Sequence, residues 1–202
     1  MKDVNILLSE THPDPHHDIY SRTVFGFWIF LLTDFILFGV LFATFAVLVH
    51  STFGGLGALD LFNIHWAFLQ TLLLLCATFT VGIAGAAAHR KHKKLAVLFF
   101  WITFVLGSAF LLLEFADFNR LIASGNGWER SAFLSMFFTV VGTHALHVIF
   151  ALLWIPVLLF SSRKEPLTQE SIRRFTCLKM FWQFLNIVWV FIFAFVYFAH
   201  RG

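Results

Sequence analysis

The sequence predicts an all-α integral membrane bundle of five transmembrane helices, and two observations lead to this fold class. Hydrophobic residues make up 59% of the 202 residues and charged residues only 12%, whereas soluble domains are about half apolar and about a quarter charged. A membrane-spanning helix needs about 20 mainly apolar residues, and the chain has such runs at 25–48, 66–88, 95–117, 132–160 and 176–199. Little chain is left for a soluble domain.

The first 24 residues precede the first apolar run and contain neither a stretch of signal-peptide length nor a small-residue cleavage site. We therefore expect them to be retained as an irregular arm, 1–24, before a transmembrane domain that covers 25–202. His and Asp side chains of the arm suggest a metal site, but a flexible arm has no outer groups to fix ligand geometry, so we do not favour one; these residues are His12, Asp14, His16, His17 and Asp18.

The distribution of basic residues predicts the orientation, because cytoplasmic loops carry an excess of Lys and Arg. The N-terminal arm and the second and fourth loops lie on one side of a five-span protein and hold most of them. The segment "HRKHKK" at 89–94 is too short for nucleic-acid binding and fits a turn beside lipid phosphates. We expect a cytoplasmic N-terminus and a periplasmic C-terminus.

Asp34 lies near the middle of the first span. A central acid costs about 3 kcal/mol on insertion scales, and this is outweighed by the many Leu, Ile, Phe and Val residues around it. Intramembrane carboxylates usually face the bundle interior and have a partner. With a rise of 1.5 Å per residue, His147 and Asn186 lie at a similar depth, so we expect the three to meet. The pattern leaves open a static hydrogen-bonding network and a site that binds protons.

The second and third spans contribute small residues and acids. Gly82 and Ala86, like Ala84 and Ala88, are four residues apart at the end of span two, a spacing that lets helices approach closely in lipid. At the outer end of span three, we favour an ion-pair cluster over catalytic carboxylates; it would contain Glu114, Asp117, Arg120 and Arg130.

Span four contains His144 and His147 on one helical face. A haem held by two histidines needs a His at matching depth on another helix, and a metal site needs three or four protein ligands. The remaining His residues lie at or beyond the ends of spans. We therefore expect no haem or metal in this chain and interpret the pair as packing histidines. Cys76 and Cys177 lie in no metal-binding spacing.

Three segments carry a resemblance to a known family. "FGFWIFLLTDFILFGVLFATF", "GWERSAFLSMFFTVVGTHALHVIFALLW" and "FWQFLNIVWVFIFAFVYF" occur in the order and spacing of subunit III of the haem-copper terminal oxidases. The length resembles the five-helix cytochrome bo-type quinol oxidase branch. Within these motifs the resemblance matches Asp34, His144, His147 and the aromatic residues Trp28, Trp182 and Trp189, and Asp117 matches the acid that ends span three.

The resemblance implies a noncatalytic subunit of a proton-pumping ubiquinol oxidase in the bacterial inner membrane. The haem groups and copper would lie in the partner subunit I, and subunits II and IV and membrane phospholipids would be further partners. Quinol would be used by the complex and not bound here. Gln183 and Asn186 stand where the family pattern has His and Asp, and Ala145 replaces a Gly; the first two changes keep hydrogen-bonding groups and favour a structural network of Asp34, His144, His147, Gln183 and Asn186.

Three alternatives were weighed. A five-helix accessory protein of a nitric oxide reductase would share the fold, and the "RSAFLSMFFTVVGTH" stretch favours the oxidase. A b-type cytochrome acting alone is disfavoured because the chain has no depth-matched pair of histidines. A small transporter would have inverted repeats and broken helices near mid-membrane, and the sequence shows no repeat.

Overall fold

The computed structural model describes residues 15–49, 51, 64–162 and 168–197. These residues form five helices, each long and apolar enough to cross a membrane, as the sequence predicts. They are α1 (Pro15–Leu48), α2 (Ile64–His89), α3 (Lys93–Ala123), α4 (Ala132–Ser161) and α5 (Gln169–Tyr197).

Helix α1 begins ten residues before the predicted first span. Pro15 occupies its first position, where the missing N–H is not needed and the fixed φ suits a helix. Residues 15–24 are therefore helical, and the expectation of an irregular segment up to residue 24 was wrong there. The division into an arm and a transmembrane domain stays a prediction, and the histidine side chains of the arm lie outside the described residues.

The other three helices pack around the pair formed by α4 and α5. Helix α5 contacts α1, α2 and α4, while α4 contacts α1, α3 and α5. Helices α2 and α3 form a tight antiparallel hairpin, turned at Arg90 to His92 with Lys91 at a positive φ of 58°. The Thr80 and Thr103 hydroxyl groups join these two helices at 2.8 Å. Helix α1 lies against the opposite side of the α4–α5 pair.

Of the two pairs of small residues at the end of α2 that the spacing predicts to pack against a neighbouring helix, only one is buried. Ala84 and Ala88 are buried, as expected for a close helix contact. The companion pair does not pack, because Ala86 is exposed and a Cβ at Gly82 would meet nothing within 4 Å. Gly85 makes the close approach instead, since its Cβ would lie 2.8 Å from Cδ of Lys179 on α5.

Gly107 on α3 lies close to side chains of α4 and α5 in the bundle interior. A Cβ on this residue would lie 2.5 Å from Cη2 of Trp182 and 2.9 Å from Cδ2 of Leu152. Trp182 is fully buried, so its rigid ring has little room to move. Gly107 thus allows the α5 indole to fit between α3 and α4.

We predict that Gly107→Ala lowers the free energy of unfolding by about 1–3 kcal/mol, because an added methyl group in a packed core forces neighbours to shift. The measurement is a titration of the purified protein with a denaturing detergent. Gly82→Ala is the matched control and should leave stability unchanged or raised, since a new Cβ there has open space and Ala favours helix. Equal loss in both variants would contradict the packing argument.

Candidate functional site

The carboxylate of α1 and a histidine of α4 meet inside the bundle. Oδ2 of Asp34 lies 3.9 Å from Nε2 of His147, and these side chains are only 12% and 17% exposed. The imidazole also packs against Phe38, one turn after Asp34, with ring centroids 5.3 Å apart. The expected approach of Asp34 to His147 is present in the structure and links α1 to α4.

Hydrogen bonding determines which nitrogen of His147 faces the acid. Nδ1 donates to the backbone carbonyl of Thr143 at 2.8 Å, because a carbonyl can only accept. In a neutral ring with its hydrogen on Nδ1, Nε2 carries a lone pair directed toward Asp34. A lone pair facing a carboxylate is repulsive, so the contact is favourable only when one additional proton resides on either group. The separation of 3.9 Å is too long for a direct hydrogen bond, and Oδ2 of Asp34 has no hydrogen-bond partner among the described residues.

His144 has a different environment from His147. It is fully buried, and Nε2 donates to the backbone carbonyl of Leu185 on α5 at 3.1 Å. Phe110 meets its ring edge-on, with centroids 5.9 Å apart, and Trp189 lies 5.3 Å away. Its ring thus joins α3, α4 and α5, and the nitrogen Nε2 is already engaged.

The family-motif tryptophans have three separate positions. Trp189 is buried and donates from Nε1 to the hydroxyl oxygen of Thr71 on α2 at 3.0 Å. Trp182 fills the space beside Gly107. Trp28, in contrast, is 60% exposed on the outer face of α1. Two of the three therefore hold the bundle together, and the third faces outward.

The amide side chains of α5 do not complete the predicted network. Gln183 is exposed and lines an outward-facing groove between α1 and α5, next to Trp28. Asn186 is half-buried, and its buried Oδ1 has no hydrogen-bond partner among the described residues. The expectation of one buried network through Gln183 was wrong, because the rotation of α5 places this residue at the surface of the bundle, in the groove that α1 and α5 form.

The acids at the end of α3 share a donor that the sequence analysis overlooked. Nε2 of Gln70 on α2 donates to Oε2 of Glu114 at 3.0 Å and to Oδ2 of Asp117 at 3.2 Å. Arg120 pairs with Asp117 at 3.2 Å. Glu114 is only 3% exposed. We expect the acids of an ion-pair cluster at the outer end of a span to be partly solvated, and for Glu114 this expectation was wrong.

Arg130 contacts the loop between α3 and α4 instead of the carboxylates. Its guanidinium donates to Oδ1 of Asn126 at 2.9 Å and to the carbonyl of Gly125 at 3.2 Å. The predicted cluster thus consists of Glu114, Asp117 and Arg120 with Gln70. Gln70 and Thr71 are the polar residues that sequence reasoning missed; their signal was two adjacent hydrogen-bonding side chains early in an apolar span.

Among the described residues, no group of three or more His, Cys, Asp or Glu side chains is arranged to hold a metal ion. Each histidine of the "THALH" stretch has a carbonyl partner at one nitrogen.

Comparison with known proteins gives the family. Residues 5–200 match the family model described as cytochrome c oxidase subunit III. The chain is 44% identical over 199 residues to a Pseudomonas aeruginosa protein named cytochrome bo(3) ubiquinol oxidase subunit 3, covering 96% of this chain and 95% of the relative. The chain belongs to the cytochrome c oxidase subunit III family.

Members of the subunit III family with other names are also similar. A Bacillus subtilis protein named quinol oxidase subunit 3 is 38% identical, and the alignment covers 89% of this chain and 88% of the relative. A protein of Bacillus strain PS3, named cytochrome c oxidase subunit 3, is 42% identical, and the alignment covers 85% of this chain and 83% of the relative. Together with the five long apolar helices, family membership makes this a multi-pass membrane protein and one subunit of a multi-subunit oxidase.

We predict a measurable coupling between Gln70 and Glu114. In a double-mutant cycle of Gln70→Ala and Glu114→Ala, the interaction energy should be about 0.6 kcal/mol and at most about 1.7 kcal/mol, the average and the maximum measured for hydrogen bonds between helices in a membrane protein. Unfolding by a denaturing detergent provides the measurement. A control cycle of Gln70 with Thr103, which bonds Thr80 instead, should show no coupling; equal values in the two cycles would contradict the assignment.

Proposed function

We propose that this chain is subunit III of a proton-pumping haem-copper ubiquinol oxidase, which oxidises quinol and reduces oxygen to water. The observation that carries the proposal is the group of five relatives named cytochrome bo(3) ubiquinol oxidase subunit 3, each aligned over 88–96% of this chain. The alternative of an accessory protein of a nitric oxide reductase is not favoured, because the similar proteins are named as oxidase subunits.

The chain acts in this proposal as a noncatalytic scaffold for subunit I, which holds the haem groups and copper. Support comes from the use of the polar side chains, since His144, Trp189 and Gln70 are each engaged with a neighbouring helix. Subunits II and IV and membrane phospholipids are further partners. The protein resides in the bacterial inner membrane with its N-terminus in the cytoplasm, in accord with the basic turn between α2 and α3.

The test is purification through a tag on this chain after gentle solubilisation. We expect a reduced-minus-oxidised haem spectrum and quinol-driven oxygen consumption from the complex, and no haem in the chain once it is dissociated. The Bacillus strain PS3 relative is named for cytochrome c, so reduced cytochrome c is the control donor. Consumption with cytochrome c alone would overturn the quinol assignment, and haem retained by the separated chain would overturn the noncatalytic role.

We propose that Asp34 and His147 stabilise the working enzyme by linking α1 to α4 through a shared proton. Asp34→Asn should leave assembly and initial turnover nearly intact, because the amide keeps the size and the polarity of the side chain that lies 3.9 Å from Nε2 of His147. It should shorten the working life of the enzyme, since an amide cannot take up or release the proton. Oxygen consumption followed to inactivation, with co-purification of the catalytic subunit, measures both effects.

Two comparison variants give this prediction its controls. Thr33→Val removes a neighbouring hydroxyl that, among the described residues, donates to the carbonyl of Phe30 in its own helix, and it should not change the working life. Asp34→Leu removes the contact with His147 and should weaken assembly as well. If Asp34→Asn abolished co-purification of the catalytic subunit, or had the same lifetime as the original chain, the proposed role would be wrong.

A further inference from the structure

Three buried polar atoms of α4 and α5 have no hydrogen-bond partner within the described part of the chain. They are Nδ1 of His144, Nε1 of Trp182 and Oδ1 of Asn186. His144 and Trp182 are fully buried, and no bulk water reaches the core of a bilayer to bond to such groups. Because buried polar side-chain atoms in proteins are mostly hydrogen-bonded, to protein or to ordered water, these three atoms point to a small bound molecule.

The register of α5 brings the three side chains to a common level in the bundle. Leu185, whose carbonyl accepts from Nε2 of His144, directly precedes Asn186. Trp182 lies four residues before Asn186, which is about one helical turn. Trp189 lies three residues after Asn186, and its ring centroid is 5.3 Å from that of His144. The His144 ring is therefore next to the same turn of α5 that carries the other two side chains.

Contacts with α3 also place the rings of His144 and Trp182 near each other. The Trp182 indole lies against Gly107, where an added Cβ would be 2.5 Å from Cη2. The His144 ring meets Phe110 edge-on, with centroids 5.9 Å apart. Gly107 and Phe110 are separated by three residues, or about 4.5 Å along the helix axis. Both rings thus lie where α3, α4 and α5 meet, and they contact α3 within one helical turn of each other.

The three atoms comprise one hydrogen-bond donor and two acceptors. Nε2 of His144 donates to a carbonyl, so in the neutral ring Nδ1 carries a lone pair and accepts. The indole Nε1 of Trp182 can only donate, and Oδ1 of Asn186 can only accept. A water molecule has the complementary groups, because its oxygen accepts and its two hydrogens donate.

Other small occupants fit this set of atoms less well. A cation would be repelled by the indole N–H of Trp182, and an anion would face the lone pairs of His144 and Asn186. Buried waters in proteins typically make about three hydrogen bonds, which is the number of atoms available at this position.

We propose that one ordered water molecule is bound here between α4 and α5. It accepts a hydrogen bond from Nε1 of Trp182 and donates to Nδ1 of His144 and to Oδ1 of Asn186. The water adds a second polar connection between α4 and α5, beside the bond from His144 to Leu185. This site does not depend on which electron donor the oxidase uses.

The direct test is an electron cryo-microscopy map of the complex, purified through a tag on this chain, at a resolution that shows ordered waters. We expect one density peak at hydrogen-bond distance, about 2.7–3.2 Å, from Nδ1 of His144, Nε1 of Trp182 and Oδ1 of Asn186. This measurement needs no variant.

A matched pair of amide variants identifies the water by its partners. Asn186→Leu replaces one acceptor with an apolar side chain of similar size, and the peak should lose most of its density because the water keeps fewer partners. Gln183→Leu removes an amide from the outward-facing side of the same helix, and the peak should be unchanged.

Ultraviolet resonance Raman spectra of the same complex provide a second readout, since one indole band shifts when the N–H donates a hydrogen bond. The difference between the original chain and Trp182→Phe, which removes one of its seven tryptophans, isolates the Trp182 band. We expect the position of a hydrogen-bonded indole.

Four results would overturn the proposal. The first is a map that shows other internal waters of the complex and no peak at this position. The second is a direct bond from Nε1 of Trp182 to His144 or Asn186, which would make a water unnecessary. The third is an equal peak in the Asn186→Leu and Gln183→Leu variants, and the fourth is a Trp182 band at the position of a free N–H.

Discussion

Polar groups inside a hydrocarbon layer are stabilised by partners within the protein, and contacts between such groups connect these five helices. Asp34 and His147 connect α1 to α4, and His144 with the Leu185 carbonyl connects α4 to α5. Two further contacts continue the series, from α5 to α2 and from α2 to α3; they are Trp189 with Thr71 and Gln70 with Glu114. Four polar contacts thus join all five helices in the order α1–α4–α5–α2–α3.

Polar contacts carry this role because apolar burial discriminates poorly between helix arrangements in lipid, where acyl chains are as apolar as leucine. Close packing also stabilises the arrangement of the helices. The indole of Trp182 lies against Gly107, and Gly85 at the end of α2 lies against the side chain of Lys179 on α5. Directional bonds select the neighbours, and small residues let them approach.

This use of side chains is consistent with a subunit that supports chemistry elsewhere. The residue types that bind metals and haem are present in the bundle, yet the structure employs the two histidines as connections between helices. The departure from the family pattern at Gln183 also becomes intelligible, because that residue faces outward beside Trp28. Replacement of a titratable group there changes the outer surface and leaves the internal contacts as they are.

The sequence by itself determined the class, the number of spans and their approximate limits, because the length of an apolar run is a local property that the bilayer thickness makes meaningful. It also identified Asp34 and the two histidines, since polar groups are conspicuous among apolar neighbours. The tertiary structure decided which of them meet. Asp34 lies near His147, and Gln183 faces outward. Arg130 bonds to the loop between α3 and α4, and Gln70 donates to the two acids at the end of α3. Helices that are hydrophobic on every side carry little periodic signal of which face is buried, so the rotation of each helix about its own axis is set only by the neighbours against which it packs.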